Sequence, residues 1–110
     1  MNIKDIQKQL SDFADERDWN QFHNPKNLAM ALSVEASELV EIFQWLTPEQ
    51  AEAIMNGDES GHVQEEMADI MIYLIRMADK LDVDLEEAVK DKIVQNAAKY
   101  PTDMLGKFKS

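Results

Sequence analysis

Four acidic residues occupy or flank positions where this sequence should be apolar. Leu28, Leu32, Leu39, Ile42 and Leu46 recur at steps of four, seven, three and four, and the position that would complete the stripe holds Glu35. Glu38 follows three residues later, on the same helical face. A second stripe, Val63, Met67, Ile70, Leu74, Met77 and Leu81, is flanked by Glu66 and Asp69, again three apart. If the stripes face each other, four carboxylates converge. Carboxylates in a low-dielectric site raise one another's pKa or require a cation. No Arg or Lys falls within either spacing. An all-oxygen donor set suits a hard divalent ion such as Mg²⁺, Mn²⁺ or Ca²⁺, and a catalytic Mg²⁺ takes substrate phosphates as further ligands. With 22 Asp and Glu in 110 residues, such a pair taken alone usually marks a solvated face. The interruption at Glu35, and the repetition on a second helix, favour a metal site.

Other residues fit a phosphate-bearing ligand. Leu85, Ala88, Val89, Ile93, Ala97 and Tyr100 mark the inner face expected of the last helix, and Lys92 and Asn96 share it, one turn apart. A cation and an amide facing a metal cluster suit a phosphate chain; the plainer reading is a snorkelling Lys and a satisfied core Asn. Trp19, Phe22 and His23 cluster before the second helix, Phe43 and Trp45 close it, and Tyr73 stands four residues after Asp69. A base could stack on a Trp ring, whereas Phe43 reads as packing. His23 reads as a structural or capping residue rather than a metal ligand.

The elements that must position these groups are helical throughout. One helix is expected from about Asn2 to Arg17. A second runs from Asn24-Pro25, an N-cap and a first-turn proline, to about Leu46. Thr47 and Gln50 have capping-box spacing and open a short helix to about Met55. After a loop at Asn56 to Gly61, a long helix runs from His62 to Lys80, and Asp84 caps a last one ending near Tyr100. The expected fold is all-α: a compact bundle of four long helices and one short one, completed by oligomerisation. The domain spans residues 1–101, and Thr102 to Ser110 form a C-terminal tail.

Composition narrows the function. A net charge of −11 argues against polymeric nucleic acid and against an anionic membrane surface. It does not exclude a nucleotide carried by a divalent metal. With no cysteine, thiolate chemistry is absent. The N-terminus has no apolar signal region and no apolar run spans a bilayer, so a cytoplasmic protein is expected.

The motifs together resemble the all-α nucleoside triphosphate pyrophosphohydrolases, the MazG-like and dCTP-pyrophosphatase-like group. Their E-x-x-E, interval, E-x-x-D signature reads Glu35-Ala36-Ser37-Glu38 and Glu66-Met67-Ala68-Asp69 here. The stretches ERDWNQFHNPKNLAMALSVEASELVEIFQW, EEMADIMIYLIRMA and DKIVQNAAKYP are similar too, so the likeness covers about Ile3 to Pro101. The resemblance implies hydrolysis of a (d)NTP, with dCTP or dATP-like candidates, to the monophosphate and pyrophosphate. It implies Mg²⁺, with Mn²⁺ as a substitute, held by Glu35, Glu38, Glu66 and Asp69. Glu35 and Glu38 would be catalytic, Glu38 as the general base. Lys92 and Asn96 match the family's K-x-x-x-N and would meet the phosphates, and Trp19, Trp45 and Tyr73 match positions near base and sugar; His23 is grouped with them. Relatives carry a His in the first helix where this chain has Leu10. The resemblance also implies a homodimer, or a homotetramer built from two dimers, with sites lined by more than one chain.

Three other readings compete. A di-iron bundle needs Glu-x-x-His motifs, which neither His23 nor His62 supplies. A non-enzymatic acidic module that binds a basic partner explains the charge but not Glu35. A hydrolase of another phosphoanhydride, such as a phosphoribosyl-ATP, uses the same bundle chemistry.

Overall fold

Strong caps fix the helix starts. In the computed structural model, which describes residues 1–102, these are α1 (Ile3–Glu16), α2 (Pro25–Phe43), α3 (Pro48–Glu52), a 3₁₀ turn (Ile54–Asn56), α4 (Ser60–Lys80) and α5 (Leu85–Lys99). The expected tail lies, beyond Thr102, outside the described residues. Asn2, Asn24 and Asp84 each accept the backbone N–H three residues on, at 3.1, 2.9 and 3.0 Å. Each cap thus satisfies an N–H that the helix itself leaves unpaired. Thr47 and Gln50 form the full capping box. α4 begins two residues earlier than expected, at Ser60, without a side-chain cap.

Two helix ends use one device that the sequence reading did not anticipate. After α1, the Trp19 N–H donates to the Ala14 carbonyl (2.9 Å) and the Asp18 N–H to the Asp15 carbonyl (3.2 Å). After α4, Val83 and Asp82 repeat the pair with Ala78 and Asp79 at 2.9 and 3.2 Å. This is the Schellman arrangement, which places one residue in the left-handed region. Here the residues are Asp18 (φ 56°) and Asp82 (φ 54°), not glycine.

The core is the pairing of α2 with α4, and α1 packs on a second side of α4. Leu28, Val63, Ile75, Ala78 and Ala14 are buried there, together with Glu66 and Arg76. Because α4 is gripped on two sides, its buried surface is not the single stripe expected. Met67 is 58% exposed and Leu81 lies open, while Glu66 and Arg76 are inside. Among the described residues, no helix is long and apolar enough to cross a membrane.

α5 departs most from expectation. It has no buried residue, and Val89, Ile93 and Val94 face solvent, Ile93 at 61% exposure. Its apolar face therefore does not turn inward within one chain. The Asp82 turn sends it away from the α2–α4 pair, and it makes no substantial contact with another helix. The radius of gyration, 17.2 Å, accordingly exceeds the roughly 13 Å of a compact domain this long.

Asp82 in the left-handed region carries a strain that glycine lacks. We expect Asp82→Gly to stabilise the chain by about 0.5 kcal/mol. Urea unfolding should show a higher midpoint with an unchanged slope.

Candidate metal centre

The α2–α4 pairing turns the two acid pairs toward each other. Glu35, Glu38 and Glu66 each offer an oxygen, all within 4.8 Å of one another. Glu66 is buried and Glu35 half-buried. Glu35 Oε2 and Glu66 Oε2 are both buried without a hydrogen-bond partner. Two facing carboxylate oxygens are both acceptors, so a proton, a water or a cation has to stand between them. The Glu35 carboxyl accordingly sits above the ordinary range. Proton sharing with Glu66 is the first cause and burial the second; the Glu66 and Asp69 charges add, and a hydrogen bond with Glu38 opposes. Asp69 stands outside the closest three, but its charge bears on both Glu35 and Tyr73. Burial, followed by the Glu35 and Asp69 charges, raises the Tyr73 hydroxyl.

His62 closes one side of the cluster. Its Nδ1 lies 3.0 Å from Glu59 Oε2 and its Nε2 3.5 Å from Glu66 Oε1. The hydrogen bond with Glu59 raises the imidazole pKa, reinforced by acid charges and opposed by desolvation. Glu38, Glu41, Ile42, Glu59 and His62 line an open groove of about 660 Å³ beside the acids. Two orphaned carboxylate oxygens, a third carboxylate within reach and an adjoining groove fit a hydrated hard cation.

The remaining expected residues are dispersed. Trp19, half-exposed, packs edge-on against Phe13 with ring centres 5.4 Å apart, and its centre is 5.9 Å from that of His23. His23 accepts a hydrogen bond from Arg76 and stands apart from the three clustered acids. Trp45 is 86% exposed beyond the end of α2. Lys92 and Asn96 are exposed on α5, which does not pack on the helices carrying the acids.

Sequence reasoning missed Arg76, whose side chain is buried although charged. Its Nε donates to His23 Nδ1 (3.3 Å), its Nη2 to Asn20 Oδ1, and its Nη1 lies 3.6 Å from Asp79 Oδ2. Asn20 in turn donates to Asp15 of α1. The available signal was an arginine inside the apolar run MIYLIRMA, three residues after Tyr73.

With this geometry established, the comparisons with known proteins are specific. The model of the MazG-like family matches residues 30–108, which contain all four motif acids. The dCTP pyrophosphatase 1 proteins of Bos taurus and Homo sapiens are each 42% identical over 103 residues, covering 93% of this chain and 61% of theirs. The chain therefore spans about three-fifths of the length of these curated relatives. The crystal structure of a pyrophosphatase from Archaeoglobus fulgidus superposes with a TM-score of 0.86 at 38% identity, covering 93% of this chain and 94% of that one. The family match across most of the sequence, and the acids that converge within it, establish that the chain belongs to the MazG-like family.

Proposed function

We propose that this chain is a divalent-metal-dependent nucleoside triphosphate pyrophosphohydrolase, releasing pyrophosphate and leaving the monophosphate. The observation that carries the reading is the pair of buried, unpartnered oxygens on Glu35 and Glu66, in a chain of this family. Glu35, Glu38, Glu66 and Asp69 would hold Mg²⁺, or Mn²⁺ in its place. An ion held by these residues would supply positive charge against the triphosphate and lower the pKa of a water. Glu38, lining the open groove, accepts the water's proton as general base. Trp19 and Tyr73 receive the nucleoside end, and the names of the relatives make dCTP the first substrate to try.

Self-association completes the site. Apolar side chains stand exposed on α2 (Met30, Val34), α4 (Met67, Met71) and α5 (Val89, Ile93). Exposure on three helices of a chain this small points to an interface between copies. α5 would deliver Lys92 and Asn96 to the phosphates at a site shared between copies, in a homodimer or a dimer of dimers.

Three measurements test this reading. A panel of (d)NTPs with Mg²⁺ should yield pyrophosphate rather than orthophosphate, and Glu35→Gln and Glu66→Gln should each lose at least about a hundredfold in kcat. Near-wild-type turnover in both variants would overturn the assignment. Light scattering should find a dimer or tetramer, and Ile93→Glu should shift it toward monomer with loss of turnover. The third test is stability without metal. The Glu35 pKa is raised on folding, so its contribution is full below the ordinary carboxyl value and is lost as pH rises through the raised one. Metal-free Glu35→Gln should therefore melt above the parent chain near neutral pH, with the difference narrowing toward pH 4, and saturating Mg²⁺ should reverse the order.

A further inference from the structure

The polar residues of α4 do not end with the metal centre. Glu66, Asp69, Tyr73, Arg76 and Lys80 follow one another at steps of three and four, so they form one row along the helix. At 1.5 Å per residue the row runs about 15 Å from Glu66 to Arg76. It passes from carboxylates, through a half-buried tyrosine, to a buried guanidinium. The far end is where the segment between α1 and α2 crosses α4.

Arg76 is 3% exposed, and its one ion pair is with Asp79, three residues on along α4 and part-exposed, at 3.6 Å. Its two hydrogen bonds go to neutral acceptors more than 50 residues away in sequence, His23 Nδ1 and Asn20 Oδ1. Burying a guanidinium against one part-exposed acid at 3.6 Å and two neutral acceptors is costly. What the contacts achieve is positional. Asn20 is tied to Arg76, to Lys80 at 3.4 Å and to Asp15. His23, by accepting at Nδ1, is fixed with its proton on Nε2. Trp19, immediately before Asn20 in sequence, packs on Phe13 and lies beside the His23 ring.

We propose that Arg76 is a positioning residue for substrate: it pins Asn20 and His23 so that Trp19 forms a rigid wall for the nucleoside, along the same α4 row as two of the metal-holding acids. Burial, followed by the charges of Arg76 and Lys80, also holds the His23 imidazole below its ordinary pKa, which keeps the accepting ring neutral. The role in turnover rests on the nucleotide reading above; the pinning of the segment does not.

The test uses the full chain with 5-fluorotryptophan, whose two ¹⁹F signals report Trp19 and Trp45 separately. Arg76→Met keeps bulk and removes both hydrogen bonds, and Arg76→Lys keeps charge but lacks the fork that reaches two acceptors. We expect the Trp19 signal to shift and broaden in Arg76→Met while Trp45 stays in place, and the His23 ring ¹⁵N shifts to lose the single-tautomer pattern. KM for the best nucleotide should rise about tenfold with kcat within about twofold, and Arg76→Lys should restore KM only in part. Mn²⁺ affinity, measured by calorimetry, should not change. Unchanged Trp19 and His23 signals in Arg76→Met would overturn the pinning. A moved Trp19 signal with unchanged KM would overturn the substrate role. If Arg76→Met does not fold, the same signals and KM in Arg76→Lys decide: parent-like values in that variant would overturn the proposal. If the parent chain hydrolyses no nucleotide, the functional reading fails by itself, and the fluorine and nitrogen signals still decide whether Arg76 holds the segment.

Discussion

The structure depends on a contact that would ordinarily drive two helices apart. Glu35 and Glu66 meet across the α2–α4 seam with an oxygen on each left unpartnered. Leu28 and Val63, buried on α2 and α4, hold these helices together despite the repulsion. A cost carried inside the main helix pair is hard to explain by stability, since well-packed apolar residues would serve the fold better. It is explained if a cation belongs between the acids. The α1 contact on another face of α4 then has a clear purpose: it secures the helix that must present its acids against the repulsion.

The same constraint orders α4 along its length. Its acidic end faces α2, and its basic end receives Asn20 and His23 from the α1–α2 connection. That connection starts from a Schellman turn that points Trp19 back over α1, and Asn24 and Pro25 end it by starting α2. The eight residues between Glu16 and Pro25 are thereby confined at both ends, and part-buried hydrogen bonds to α4 fix their middle. A bundle with few buried side chains gains from this arrangement a rigid segment that local packing alone would not supply.

Much of this was legible in the sequence because it depends on local chemistry. The caps at Asn2, Asn24, Thr47 and Asp84 and the prolines at helix starts act within one turn, so four long helices and a short one could be read directly. Glu35 announced itself by breaking an apolar series. What the sequence could not reveal depends on partners distant along the chain. The α4 stripe suggested a single buried face, but packing by two helices buried Glu66 and Arg76 and left Met67 exposed. Arg76 could be seen as an oddity, but not assigned to His23 and Asn20, because nothing in periodicity says which residues 53 and 56 positions away will face it. The Schellman turns escaped notice because Asp stands where glycine would have been the signal.

α5 marks the limit of reading a face as a core. Its apolar positions follow the helical period, yet the period fixes only that they share a side, not which chain covers that side. An inward face was the natural expectation for a bundle, and a single copy does not satisfy it. The large radius of gyration and the exposed apolar residues on α5 go together: among the described residues, nothing covers the apolar side of that helix. Since Lys92 and Asn96 ride on that helix, the proposed phosphate contacts and the proposed assembly have a common physical origin. In the proposed assembly, the contact that covers the apolar face of α5 also sets where its cation and amide stand, so loss of that interface would remove those side chains without altering any of the acids.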